Sequence, residues 1–203
     1  MVGRPLLLVA ALLVAPLLAG CSGSDDAAPR PTTSPTPIGK LDAASVRLVR
    51  ADFCDRVPAS AVGAALGGKA TTDDSWGNGD PVPASAGGNG EVGHEIGCSW
   101  TGADGAAARA WMFARPVTAA FATTLVRQAA KQAGCTTETS PTFGSPALLQ
   151  TCTAGPPNGV GRVRRAGLFT DTWLTCDVSG TSAPDLAKRT DRWCAAVVAA
   201  ARG

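Results

Sequence analysis

Tyrosine is missing from this chain altogether, and a single histidine, His94, is present among 203 residues. Each scarcity removes a class of chemistry. HExxH does not occur, which excludes the zincin arrangement. No GxSxG nucleophile elbow is present, so His94 has no serine partner in the pattern a triad requires. It stands between Gly93 and Glu95 in a glycine-rich stretch and reads as an exposed loop residue. No two cysteines lie at CxxC spacing, which argues against a zinc ribbon and a dithiol redox motif alike. The glycines of residues 87–93 lack the strand-then-helix context of a phosphate loop. The expectation is a non-enzyme with no catalytic residue, no metal and no cofactor. Charge is scarce and balanced, 18 Lys and Arg against 16 Asp and Glu. That leaves no basic footprint for nucleic acid. Long apolar runs are missing too: the longest covers about 14 residues and is broken by Pro16, where a transmembrane helix needs about 20.

That short apolar run is nevertheless the most informative stretch. Arg4 precedes it, and Leu18, Ala19, Gly20 and Cys21 close it. A basic start, an apolar middle and small residues at the end are the layout of a secretory signal. The ending resembles the lipobox of bacterial lipoprotein precursors. The resemblance implies that residues 1–20 are removed and that Cys21 receives a diacylglyceryl group and becomes the acylated N-terminus. Thiolate is a stronger nucleophile than a serine hydroxyl, which suits that alkylation. Two or more acyl chains hold a protein stably at a membrane, where one does not. The expected location is the extracytoplasmic side of the cell membrane, with the membrane itself as a partner through the lipid.

Residues 21–44 are rich in Ser, Thr, Pro and Asp and poor in large apolar side chains. Such a segment buries too little to fold and reads as a disordered tether, stiffened by its prolines. Residues 45–203 are sized for one domain. With Cys21 assigned to lipid, six of the seven cysteines remain, and an even number in an exported chain implies a disulfide framework.

Within the domain, Pro58, Val62, Leu66 and Gly67 mark a first helix. Residues 69–95 read as one long irregular stretch, partly disordered, with Trp76 docking back onto the body. Residues 96–101 and 109–115 form two strands across a turn. Residues 118–133 carry a helical stripe of Phe121, Leu125, Ala129 and Ala133, closed by Gly134. Three strands follow at 147–153, 161–169 and 172–178. In the last, Leu174, Cys176 and Val178 face one way, and Trp173, Thr175 and Asp177 the other. A helix from Pro184 to about Ala201 buries Leu186, Thr190, Trp193, Cys194, Val197 and Val198.

The expected fold is α+β, an antiparallel sheet of about five strands with the helices on one face and disulfides as staples. Cys176 and Cys194 then face each other between strand and helix, Cys135 and Cys152 flank a short connection, and Cys54 is left for Cys98.

The cysteine before the first helix (FCDRVPASAVGAALGG), the GCSW strand and the WCAAVVAAA helix occur together behind a lipobox and a tether. In this the chain resembles the small actinobacterial lipoproteins grouped as a family of unknown function. It is similar in layout to the extracellular sensor domains of mycobacterial receptor kinases. The resemblance covers about residues 45–203 and implies a ligand-binding or sensing module with no catalytic residues to transfer; Cys135 and Cys152 have no clear place in its pattern. Candidate contacts to a glycan, a lipid or an envelope protein are Arg162 and Arg164, which share a strand face and suit an anion. To these are added Trp76 and Trp173, the two tryptophans expected to be exposed, whose flat faces suit a sugar or lipid. The alternative is an accessory subunit of an envelope complex with no small-molecule site.

Overall fold

The structure, a computed structural model, describes residues 34–140, 142–153, 161–180 and 185–202. The signal, Cys21 and the first part of the tether lie outside the described residues.

Seven strands form one antiparallel sheet. They are β1 (Ala70–Trp76), β2 (Glu95–Gly102), β3 (Ala107–Phe113), β4 (Cys135–Thr139), β5 (Ala147–Cys152), β6 (Gly161–Phe169) and β7 (Thr172–Gly180). Their spatial order is β1-β2-β3-β7-β6-β5-β4, so the last strand in the chain is the central one. Every residue of β7 is buried, because both faces of the sheet are covered there. Alternation along β7 sorts its side chains into two environments.

One face is dry. Leu174, Cys176 and Val178 of β7 lie beside Ala108, Ala110 and Met112 of β3. Helices α1 (Ala59–Leu66) and α3 (Leu186–Ala201) pack over them. The short side chains of β3 leave room for Trp193 of α3, whose Nε1 donates to the carbonyl of Arg109 at 3.0 Å. Trp100 meets Trp193 edge-on, with ring centroids 5.4 Å apart. Gly67 closes α1 at φ 78°, a left-handed conformation that favours glycine, and its N–H donates to the carbonyl of Gly63.

Helix α2 (Ala119–Ala129) lies on the opposite face, over Leu148, Ala166, Leu168 and Trp173. Thr118 caps its start by accepting from the N–H of Phe121 at 3.3 Å. The helix stops four residues before the expected 133. Its terminal carbonyl at Ala129 is taken instead by the side-chain amide of Gln150, at 2.9 Å.

The class is thus α+β with an antiparallel sheet, and three particulars differ from the sequence reading. Among the described residues there are seven strands rather than about five, and the two additions, β1 and β4, are the sheet's two edges. Residues 70–76 are therefore strand, not part of an irregular stretch, and residues 135–139 are strand also. The helices occupy both faces rather than one. The packed body also reaches further back than residue 45: Ile38 is buried in the core beside α3, and Val49 donates to the carbonyl of Ala201.

Three disulfides are present: Cys54–Cys98, Cys135–Cys152 and Cys176–Cys194. They tie the approach to α1 to β2, β4 to its register partner on β5, and β7 to α3. Three such bonds fit an oxidising, extracytoplasmic environment. Among the described residues no helix is long and apolar enough to cross a membrane.

Candidate binding face

The second face of the sheet carries a line of polar side chains that crosses every strand. Asp74, Ser99, Arg109, Asp177, Arg164, Gln150 and Thr137 are successive register partners from β1 to β4. Partners in register point to the same side of a sheet, so the seven side chains form one row.

The two ends of this row are satisfied but for one acceptor, the buried Oε1 of Gln150, which has no partner among the described residues. Ser85 sits in a single 3-10 turn at Ala84–Ala86, on the connection between β1 and β2. Its hydroxyl donates to Asp74 at 2.6 Å, and its carbonyl accepts from Ser99 at 3.1 Å and from Arg109 Nε at 2.8 Å. At the far end Gln150 Nε2 donates to Ala129 and, at 3.2 Å, to Thr137 Oγ1.

The middle is not. Asp177 is 1% exposed, yet its carboxylate stands 4.0 Å from Arg109 Nη1 and 3.9 Å from Arg164 Nε. Those separations are beyond hydrogen-bond range. Neither carboxylate oxygen has a hydrogen-bond partner among the described residues, and neither Arg164 Nε nor Arg162 Nε has one. Burial pushes the Asp177 carboxyl up, against the opposing pull of Arg164, Arg109 and Arg162. Burial, and then the positive charge of Arg162, moves the Arg164 guanidinium down. Unpaired buried polar atoms are costly and uncommon in a folded chain. Four of the six such atoms among the described residues belong to Asp177, Arg162 and Arg164; the other two are Oε1 of Gln150, the next residue of the row, and Nε1 of Trp76.

Neighbouring Arg165 shows that the fold can satisfy an arginine when it needs to. It points to the other face and donates to Asp191 of α3 at 2.6 Å and to Ser140 at 2.7 Å.

A groove of about 360 Å³ adjoins the row, lined among others by Val82, Val92, His94, Glu95, Trp111 and Phe113. Trp111 joins the two features, since the guanidinium of Arg164 lies 5.7 Å from its ring centroid. Phe113 contacts Phe121 of α2, with centroids 6.3 Å apart. Three large apolar side chains are exposed among the described residues: Val49, Val92 (55%) and Phe121 (48%). Val92 lines this groove, and Phe121 packs against its Phe113. At its far end Glu95 is half-buried, and its carboxyl is pushed up by burial and by the charge of Glu91. A larger recess of about 860 Å³ opens between α1 and β1. Its charged residues, Asp55, Lys69, Asp73 and Asp74, are all exposed, and it holds no unpaired buried polar atom.

The four expected contact residues meet different fates. Arg162 and Arg164 do share a face, and what they confront is Asp177. Trp76 and Trp173 are not exposed, at 5% and 4%. Helix α2 covers Trp173, and residues 82–93 fold back over Trp76, with Gly93 and Val82 against it. Trp111 is the tryptophan that faces the site. Asp177, Arg109 and Phe113 join it as residues the sequence reading did not single out. The one charged residue in a wholly buried strand, and an arginine inside an alanine run, were the available signals.

No group of three or more His, Cys, Asp or Glu side chains among the described residues could hold a metal ion. Comparisons of the chain with family models, with curated proteins and with solved structures give no match.

Proposed function

We propose that this chain is a non-enzymatic lipoprotein of the cell envelope. Its folded body is held at the outer membrane face through Cys21 and binds a ligand on the half-open polar face of the sheet. The anchor reading rests on the lipobox-like residues 18–21 and is compatible with the three disulfides. The kinship with small actinobacterial lipoproteins of unknown function belongs to the same proposal.

One observation carries the ligand site: a buried carboxylate with neither oxygen paired among the described residues, between two arginines, beside an aromatic-floored groove. Convergent polar groups next to an apolar cleft are the usual makings of a small-molecule site. An accessory subunit would need a contiguous apolar plane. The exposed apolar side chains instead include Val92, which lines a groove, and Phe121, which packs against its Phe113.

Two measurements test the reading. Cys21→Ala should move the protein from the membrane fraction to the soluble envelope fraction, and continued membrane association overturns the anchor. A photo-crosslinking amino acid in place of Val92 should give a discrete adduct in intact cells. That adduct should vanish when Trp111 is also replaced by Ala, and persistence would place the contact elsewhere.

A further inference from the structure

Building on that ligand site, we propose its chemical class: a phosphate-type anion carried on an apolar stem. Arg109, Arg162 and Arg164 receive the anion, and Trp111 and Phe113 receive the stem.

The charge balance points to the anion. Three guanidiniums surround one buried carboxylate, so two positive charges stay unneutralised within the cluster. Asp177 acts as a counter-ion set behind the arginines. At 3.9 and 4.0 Å it lowers their mutual repulsion without consuming their N–H donors. The unused Nε atoms of Arg162 and Arg164 are such donors, and guanidinium forks match the paired oxygens of phosphate. The stem follows from what adjoins the cluster. Trp111 stands between the arginines and the groove, Phe113 continues the aromatic floor and is backed by Phe121, and Val92 adds an exposed apolar wall. Glu91 and Glu95 line the far end, where a second anionic group would be repelled. The arrangement therefore fits a ligand charged at one end and apolar along its length. An acyl or prenyl phosphate has that chemistry, and the phosphate of a cell-wall sugar shares the anion alone.

Calorimetry and tryptophan fluorescence on the full chain test this. Cys21→Ser ensures that the protein brings no acyl group of its own. The probes are dodecyl phosphate below its micelle concentration, dodecyl glucoside, mannose 1-phosphate and inorganic phosphate. Dodecyl phosphate should bind at least about tenfold more tightly than each of the other three, the difference expected when either a charge-assisted hydrogen bond or the apolar contact is lost. Arg162→Gln, at a partly exposed position and with folding checked by circular dichroism, should weaken that binding about tenfold, and adding Arg164→Gln should weaken it further. Equal binding of mannose 1-phosphate and dodecyl phosphate overturns the apolar stem. Equal binding of the two dodecyl compounds, indifferent to both arginine changes but lost in Val92→Asp, overturns the anion while the groove stands as a ligand site. Binding that responds to none of the three substitutions, or no binding of any probe, overturns both the ligand class and the site.

Discussion

Strand β7 shows two solutions to burial on the two sides of one backbone. Toward α1 and α3 it presents Leu174, Cys176 and Val178, in a core of alanine, valine, methionine and tryptophan. Toward the other side it presents Trp173, Thr175, Asp177 and Ser179, all equally inaccessible to water. The first face can only stabilise, because it contains almost nothing that needs a partner. The second holds polar atoms with no hydrogen-bond partner among the described residues, and a fold keeps such atoms at a cost. Helix α2 covers the apolar half of that second face, and the 82–93 connection adjoins the arginine row. A stable half and a costly half on one sheet separate the part that holds the fold from the part that is free to bind.

If that division is correct, damage to the dry face should be the more severe. Trp193→Ala should lower the free energy of unfolding by about 3–5 kcal/mol, the range for truncating a fully buried large aromatic. Urea denaturation with the disulfides intact would measure it. A loss below about 1 kcal/mol would mean that the Trp100–Trp193 contact is not the centre of that core. The disulfides sharpen the contrast. Removing Cys176–Cys194 as a serine pair should cost about 3 kcal/mol, since it closes a short loop between β7 and α3. Cys135–Cys152 closes a loop of nearly the same length, 17 against 18 residues. It joins strands already paired at the sheet's edge, so its removal should cost less. Equal losses would show that loop length alone sets their contribution.

How much of this was legible beforehand depends on where each element sits. The central strands and α3 show their period plainly, because burial on defined faces writes itself into the order of apolar residues. The cysteine pairing is legible for the same reason, since Cys176 and Cys194 fall on inward positions of two periodic elements. The edge strands are not. In β1 only Trp76 is buried, and β4 reads Cys-Thr-Thr-Glu-Thr with no buried side chain. An edge strand needs no apolar alternation, and charged or polar residues there discourage pairing with other chains. The site was half legible. Arg162 and Arg164 share parity on one strand, so their common face follows from sequence. Arg164 meets Asp177 across the local β6–β7 hairpin, but Arg109 joins them only because β7 also pairs with β3, a non-local pairing that no period reveals. The coverage of Trp76 and Trp173 by a loop and a helix is likewise set by tertiary structure.

The polar face offers a smaller lever at Gly97. A side chain there would run into the ring of Trp76 and the Cβ of Trp111, its register neighbours on either side. Gly97→Val should therefore cost about 1–3 kcal/mol, as overpacking does. It should also raise the exposure of a tryptophan, visible as a red shift in emission. An unshifted spectrum would indicate that the space at Gly97 between Trp76 and Trp111 accepts a side chain without displacing either ring.

The finest test removes the charge at the centre of the row. Because burial raises the Asp177 carboxyl above its ordinary value of 3.8, the native protein holds this proton more tightly than the unfolded chain does. Stability from this group is complete below the unfolded value and declines as pH rises through the higher, folded one. Asp177→Asn mimics the protonated carboxyl and should abolish that decline. The variant should then match the native chain near pH 3 and become the more stable of the two toward neutral pH, by less than any of the losses above. Glu95 is shifted in the same direction, so the difference between the two proteins, not either curve alone, carries the result. A variant less stable at pH 7 would mean that attraction to Arg109, Arg162 and Arg164 outweighs burial. The polar face would then be held together by its charges, and the contrast with the dry face would be one of kind and not of cost.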